Sequence, residues 1–252
     1  MTGGRAGWWL AAILIGQFCW ESCKVVKEDR RSCPCTLSVV MNALPEYPAR
    51  LYVNGKLAGE AAGDTTLQVW VSQGPVAQVS ALCGGLPLEE GAVHIPYGEA
   101  CPALYSFYGV ADCSGETARM EVKMQKQFCT LSLLFDGPPG WGEPYWAELR
   151  GCVSGFRLQD ESPLQGDFRC RMDGDFCARL PRQGPEDMLW LDIVMTDGVL
   201  RSFPLDSYLR KASYDWMAQE LSDIALEVRL SISEISFALD LWNQTIPLEI
   251  EI

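Results

Sequence analysis

The chain opens on an apolar run and then changes character. Trp8 to Phe18 is almost wholly apolar and follows Arg5, whereas Lys24 to Ser32 is strongly charged and shows no apolar period. Beyond Cys33, apolar residues recur mainly at every second position. In a strand, successive side chains point to opposite faces, so this period predicts half-buried strands. Before Gly137 it predicts strands over Thr36–Met41, Thr66–Val71, Val76–Leu82, Leu104–Val110, Met120–Gln125 and Phe128–Phe135, with Gly74-Pro75 marking a turn. The stretch Leu51–Leu57 contains Asn54-Gly55, the strongest short hairpin signal. After the Gly/Pro cluster the same grammar resumes over Tyr145–Val153, Phe168–Met172, Phe176–Leu180, Met188–Met195 and Val199–Phe203, with a turn at Asp197-Gly198. It continues over Ala225–Ile232, Ile235–Trp242 and the tail Ile246–Ile252. Pro204–Ala212 alone reads as a short helix.

Many short strands punctuated by Gly and Pro predict an all-β sandwich architecture. Asp136–Gly142 holds two prolines and three glycines, which a central strand does not accommodate. The expected organisation is a leader over 1–22, a tether over 23–35, one β-sandwich over 36–137 and a second over 143–252.

The leader is too short to span a bilayer as a helix, which takes roughly 20 apolar residues. Its size and charge order are those of a secretory signal peptide. The small residue Ser22 directly before Cys23 suggests cleavage there, with Cys23 becoming an acylated N-terminus. Cys19 is a poorer candidate because bulky Phe18 precedes it. The competing readings are a plain signal peptide, or a Cys23 that pairs in a disulfide. Acyl chains bury CH₂ groups at roughly 0.8 kcal/mol each, enough for stable anchoring when several are attached.

The formal net charge is −13, and Arg5 and Glu21 cancel within the leader, so the remainder keeps that charge. With no Lys/Arg cluster to offset it, the chain repels phosphates and is not expected to bind nucleic acid. Of 11 cysteines, setting aside Cys19 and Cys23 leaves nine. Disulfides are an expectation for an exported chain, an anaerobic source would leave several thiols reduced, and an odd number leaves at least one unpaired within the chain. Cys33 and Cys35 are too close in sequence for an easy mutual bridge.

Candidate chemistry is sparse. His94, the single histidine, lies in the apolar context Ala92–Pro96 with no identifiable partner, so it reads as structural or incidental. No serine sits in a Gly-x-Ser-x-Gly elbow. Cys33-Pro34-Cys35 is one residue short of the common zinc spacing, and Asp173-Gly174-Asp175 lacks the further carboxylates of a calcium loop. No catalytic, cofactor or metal residue is therefore expected. Trp70, Trp190 and Trp242 lie inside strand-like runs and are expected in the core, with Trp141 and Trp146 packing at the domain junction.

Two stretches carry a resemblance. Cys23 is followed by a short Lys/Glu/Asp/Arg segment and then Cys33-Pro34 before the first strand. Far downstream, Phe203–Leu209 precedes Tyr214–Ile224, then a strand, then Leu241-Trp242. In this order the chain resembles the Bacteroidales fimbrial anchor and minor-subunit lipoproteins, over essentially all of its length after the leader. The resemblance implies two tandem transthyretin-like β-sandwich domains and no enzymatic activity. It implies a lipid anchor at Cys23 in the outer membrane, surface exposure, and a role in anchoring or terminating a pilus, setting its length and supporting adhesion. Partners would be fimbrial subunits joined by strand addition. A surface lipoprotein that binds a glycan or serves nutrient uptake is the alternative.

Overall fold

The computed structural model describes residues 33–42, 47–136, 144–172, 174–195, 198, 200–230, 235–241 and 244–248. These residues are essentially all β. In chain order the strands are β1 (Pro34–Met41), β2 (Ala49–Val53), β3 (Lys56–Ala61), β4 (Thr65–Ser72), β5 (Gly74–Cys83), β6 (Ala92–His94), β7 (Tyr105–Cys113), β8 (Thr117–Val122), β9 (Gln125–Lys126), β10 (Phe128–Asp136), β11 (Pro144–Arg157), β12 (Pro163–Met172), β13 (Cys177–Pro181), β14 (Leu189–Met195), β15 (Leu200–Pro204), β16 (Ile224–Leu230), β17 (Ile235–Leu241) and β18 (Gln244–Leu248). The expected short helix is α1 (Leu205–Lys211). Among the described residues no helix is long and apolar enough to cross a membrane.

The β2–β3 hairpin turns on Asn54 and Gly55, with φ of 50° and 75°. Positive φ at both central residues is what a type I′ turn requires, and it explains why this dipeptide was legible. Gly74-Pro75 differs from its expected role. It opens β5, where the register against β7 slips between Gly74 and Ala77. A proline cannot donate to the ladder, so it is accommodated at that irregularity.

Among the described residues the strands form four sheets. The first has the order β4-β1-β8, with β1 antiparallel to β4 and parallel to β8. The second runs β3-β2-β5-β7-β9. Their inner faces share one core: Cys35, Leu37, Val39 and Met41 of β1 meet Leu51 and Val53 of β2, Val79 and Ala81 of β5, and Ala111 and Cys113 of β7.

The third sheet runs β12-β11-β14-β15, with β6 also paired to β11, and the fourth runs β13-β10-β16-β17-β18. A second core lies between them. Leu149, Phe168, Cys170 and Leu191 from one sheet meet Cys129, Leu131, Leu180 and Leu226 from the other. Leu205 and Leu209 of α1, with Trp216, complete it. Strand β10 precedes the Gly/Pro cluster in sequence, yet it pairs with β13 and β16. Residues 137–143 themselves lie outside the described residues, as do 249–252 of the expected tail strand.

One expectation is overturned. Trp70 is 72% exposed. Val71 is buried and Leu67 and Val69 pack against the first core, so the period of two turns Gln68, Trp70 and Ser72 outward. Trp190 is half-buried under the Arg150 guanidinium, and Trp146 lies 5.1 Å from the Arg171 guanidinium. Trp141 and Trp242 lie outside the described residues.

Candidate functional site

The two cores meet through a buried polar cluster. Ser106 on β7 is fully buried and donates its hydroxyl to Glu161 Oε1, while Gln127 Nε2 donates to Ser106 Oγ at 2.8 Å. Glu161 sits in the turn between β11 and β12 at φ 57°. Gln125 donates to Glu161 Oε2 at 3.0 Å when its amide is oriented to suit its neighbours. Burial pushes the Glu161 carboxyl above the usual carboxylate range, although the Ser106 hydrogen bond and the Arg182 charge oppose this. Arg182, immediately after β13, donates to the carbonyls of Trp216, Lys126 and Ala218. One guanidinium thus ties β9 and the connection after α1 to the end of β13. The same connection is held by Tyr214, whose hydroxyl donates to Ser222 O at 2.5 Å and whose ring meets Trp216 edge-on at 4.7 Å. Trp216 is buried and Tyr214 half-buried in this connection, whereas Asp215 and Met217 are exposed. The cluster positions backbone. Its hydroxyl is shut off from solvent, so it offers a substrate no approach.

A cleft of about 460 Å³ opens beside this junction. Val122 and Met124 are buried along it, and Asn42, Glu121, Lys123, Gln219 and Glu220 supply its polar groups, with Tyr105 at one side. Asn42 Nδ2 donates to Glu121 Oε1 at 3.2 Å, and Gln219 Nε2 donates to Met124 O at 3.4 Å.

The sheet edges differ in chemistry. Edge strands β3, β8 and β12 carry Lys56 and Glu60, Arg119 and Glu121, and Asp167, Arg169 and Arg171 respectively. Charges of this kind blunt an edge against further pairing. Strand β4 spans eight residues, carries no charge, and among the described residues hydrogen-bonds to β1 only on one side. Its exposed row includes Trp70.

Cys23 lies outside the described residues. His94 is exposed on β6, where its backbone pairs with Gly155. Cys33 is exposed and Cys35 buried, and both are free thiols, as are Cys83, Cys101, Cys113, Cys129, Cys152, Cys170 and Cys177. Asp173 lies outside the described residues; Asp175 Oδ1 accepts from the Cys177 backbone at 3.3 Å, as in an ordinary acidic turn. Among the described residues no group of three or more His, Cys, Asp or Glu side chains is placed to hold a metal. Sequence reasoning missed Glu161 and Arg182. An isolated charge in a loop looks solvent-exposed until the fold buries it.

No protein-family model matches the chain, and no curated protein matches it. Solved structures do. A candidate adhesin from Bacteroides ovatus superposes with a TM-score of 0.62 at 12% identity, covering 90% of this chain and 99% of that one. A candidate polysaccharide-binding protein from Bacteroides thetaiotaomicron gives 0.63 at 13% identity, covering 86% and 98%. A fimbrial anchor protein from Porphyromonas gingivalis gives 0.56 at 9% identity, covering 86% and 100%. At these identities what is shared is the fold, and the chain stands in a distant structural relationship to fimbrial anchor and adhesin proteins of this bacterial group.

Proposed function

We propose that the chain is a lipid-anchored surface protein of the outer membrane that anchors or terminates a fimbria, helps set its length, and supports adhesion. The observation that carries this reading is the pairing of two features: a leader ending in Ser22-Cys23, and behind it a fold that spans a solved fimbrial anchor from end to end. The solved relatives carry the names of adhesins and a fimbrial anchor, which supports a non-enzymatic reading. The two cores are read as two tandem transthyretin-like β-sandwich domains, with β10 counted in the second because of its partners. Fimbrial subunits are the proposed partners, joining by strand addition. Among the described edges β4 suits this best, since it is long, uncharged and open.

The test of the anchor is the Cys23→Ser form. Cells making it are fractionated, and membrane is compared with culture fluid. The protein is expected in the fluid, with fimbriae shed or of abnormal length. Full retention in the outer membrane, with an unaltered protein whose N-terminus is not residue 23, overturns the reading. Strand addition is tested separately by Trp70→Lys, which places a charge on the β4 edge. The variant is expected to fold and reach the surface but to lose co-purifying subunits.

The cleft beside Tyr105 supports the second reading, a glycan-binding lipoprotein, because amide and carboxylate groups there flank an apolar floor. Ligand-observed NMR with neutral disaccharides tests it; binding abolished by Tyr105→Ala would favour this reading.

A further inference from the structure

We propose that Cys35 and Cys113 form a disulfide bond when the chain folds in an oxidising compartment, stapling β1 to the end of β7. Both residues are fully buried in the first core. Cys35 acts on the Cys113 thiol as a near side-chain neighbour within that core. The backbone explains why they meet. Thr36, next to Cys35, donates its N–H to Glu116 O at 2.9 Å, and it pairs with Thr117 at the start of β8. Cys113 closes β7, at the entry to the turn that leads to Glu116. That turn is pinned by Asp112 Oδ1, which accepts from the Ser114 backbone at 2.9 Å and from its hydroxyl at 2.6 Å. The first strand therefore runs alongside the β7–β8 turn with both sulfurs directed into one core.

The other thiols are placed differently. Cys33 is exposed. Cys83 donates its thiol to Tyr47 O at 3.0 Å. Cys101, Cys129 and Cys170 belong to the second core, and the half-buried Cys152 and Cys177 lie on β11 and β13, strands of the two sheets around it. The pairing is thus selected by the fold from a set that spacing alone left open.

The exchange balances with glutathione disulfide as oxidant. The Cys35 thiolate attacks one sulfur of glutathione disulfide, breaking its S–S bond and releasing one glutathione thiolate. Cys113 then loses its proton to solvent and attacks the Cys35 sulfur. The Cys35–Cys113 bond forms and the second glutathione leaves. Two protein thiols lose two electrons and two protons, and one glutathione disulfide becomes two glutathione thiols. Burial, with the neighbouring Cys35 thiol, pushes Cys113 up to about 11, so little thiolate exists once the core is packed. Bond formation therefore belongs to folding, before the first core closes.

Strand β1 is the first described element after the segment that would lead to the acylated Cys23. Load from a surface structure would enter the fold through it, and the bond would add a covalent tie to its hydrogen bonds. This consequence, and formation of the bond in the cell, rest on the export and anchoring reading; the capacity to form it does not.

The experiment uses the full chain, reduced and unfolded, then refolded in a glutathione redox buffer. Remaining thiols are alkylated and the chain is digested without reduction for mass spectrometry. A peptide pair linked through Cys35 and Cys113 is expected in the parent and in Cys33→Ala, and absent in Cys35→Ala and Cys113→Ala. The oxidised parent should melt on the order of 5–10 °C above its reduced form. Alkylation of both residues in refolded parent protein, or a bridge from either one to any other cysteine, overturns the proposal. If an alanine variant fails to fold, the alkylation pattern of the parent decides by itself. The result is independent of Cys23→Ser fractionation, so failure of the anchor reading and failure of this bond are read separately.

Discussion

The two cores follow one strand grammar but are packed from different material. The buried residues of the first core include no aromatic side chain, and Ala49, Ala61, Ala77, Ala81 and Ala111 line it between aliphatic rows. Those of the second include Phe128, Phe156, Phe168, Phe203, Tyr208 and Trp216, with α1 packed among them. Small residues let two sheets approach closely, so added volume is poorly tolerated. Aromatic residues fill a wider space, so lost volume leaves a cavity. The first core is where a short covalent staple fits; the second is where a helix and a guanidinium are needed to close the fold.

The largest expected effect is in the second core. Phe168→Ala should cost about 4 kcal/mol, from lost burial and the cavity left behind. Leu37→Ala in the first core should cost about 3 kcal/mol. Calorimetry on both variants sharpens the comparison. If the cores unfold separately, each substitution lowers a different transition. One common transition shifted by both would make the cores a single cooperative unit, against the two-domain reading.

A smaller effect is expected where the chain from the first core reaches the second. A Cβ at Gly155 would lie 1.9 Å from the Val93 carbonyl oxygen. Gly155→Ala must therefore push β6 away from β11, at about 2 kcal/mol. Hydrogen exchange should show lost protection in β6 while β1 keeps its own. Equal loss in both strands would mean that the crossing segment supports the whole fold.

The smallest effect is electrostatic and confined to the second core. Burial pushes the Asp192 carboxyl up, but hydrogen bonds from Arg150 and Ser202 and the Arg150 charge together hold it below the usual carboxylate range. A depressed folded value means that the group stabilises the fold above its unfolded pKa of about 3.9, and that this contribution is lost as pH falls through the depressed value. Arg150 is one-third exposed, which weakens the pair. Asp192→Asn should cost about 1–2 kcal/mol at pH 7. The difference from the parent should shrink below about pH 4. Urea titrations at pH 7 and pH 3 check this, and an equal difference at both would assign the effect to packing instead of charge.

Local pattern alone determined the class of most elements, though the short strands β6 and β9 carried no such signal. Alternation marked the strands, Asn54-Gly55 marked the β2–β3 turn, and Pro204–Ala212 marked the helix, because each depends on neighbours a few residues away. Trp70 shows that even the facing of a side chain was implicit: with Val69 and Val71 inward, a period of two sends it out. Which strands pair is a different matter. The parallel pairs β1–β8 and β10–β16 join segments far apart in the chain, and no local signal names a distant partner. Nor could sequence assign β10 across the Gly/Pro cluster, bury Arg182 and half-bury Glu161 at the junction, or choose Cys113 for Cys35 among the available thiols. A repeating pattern states which face a residue occupies. What that face meets is decided when the chain closes on itself and burial selects one pairing from many with the same period.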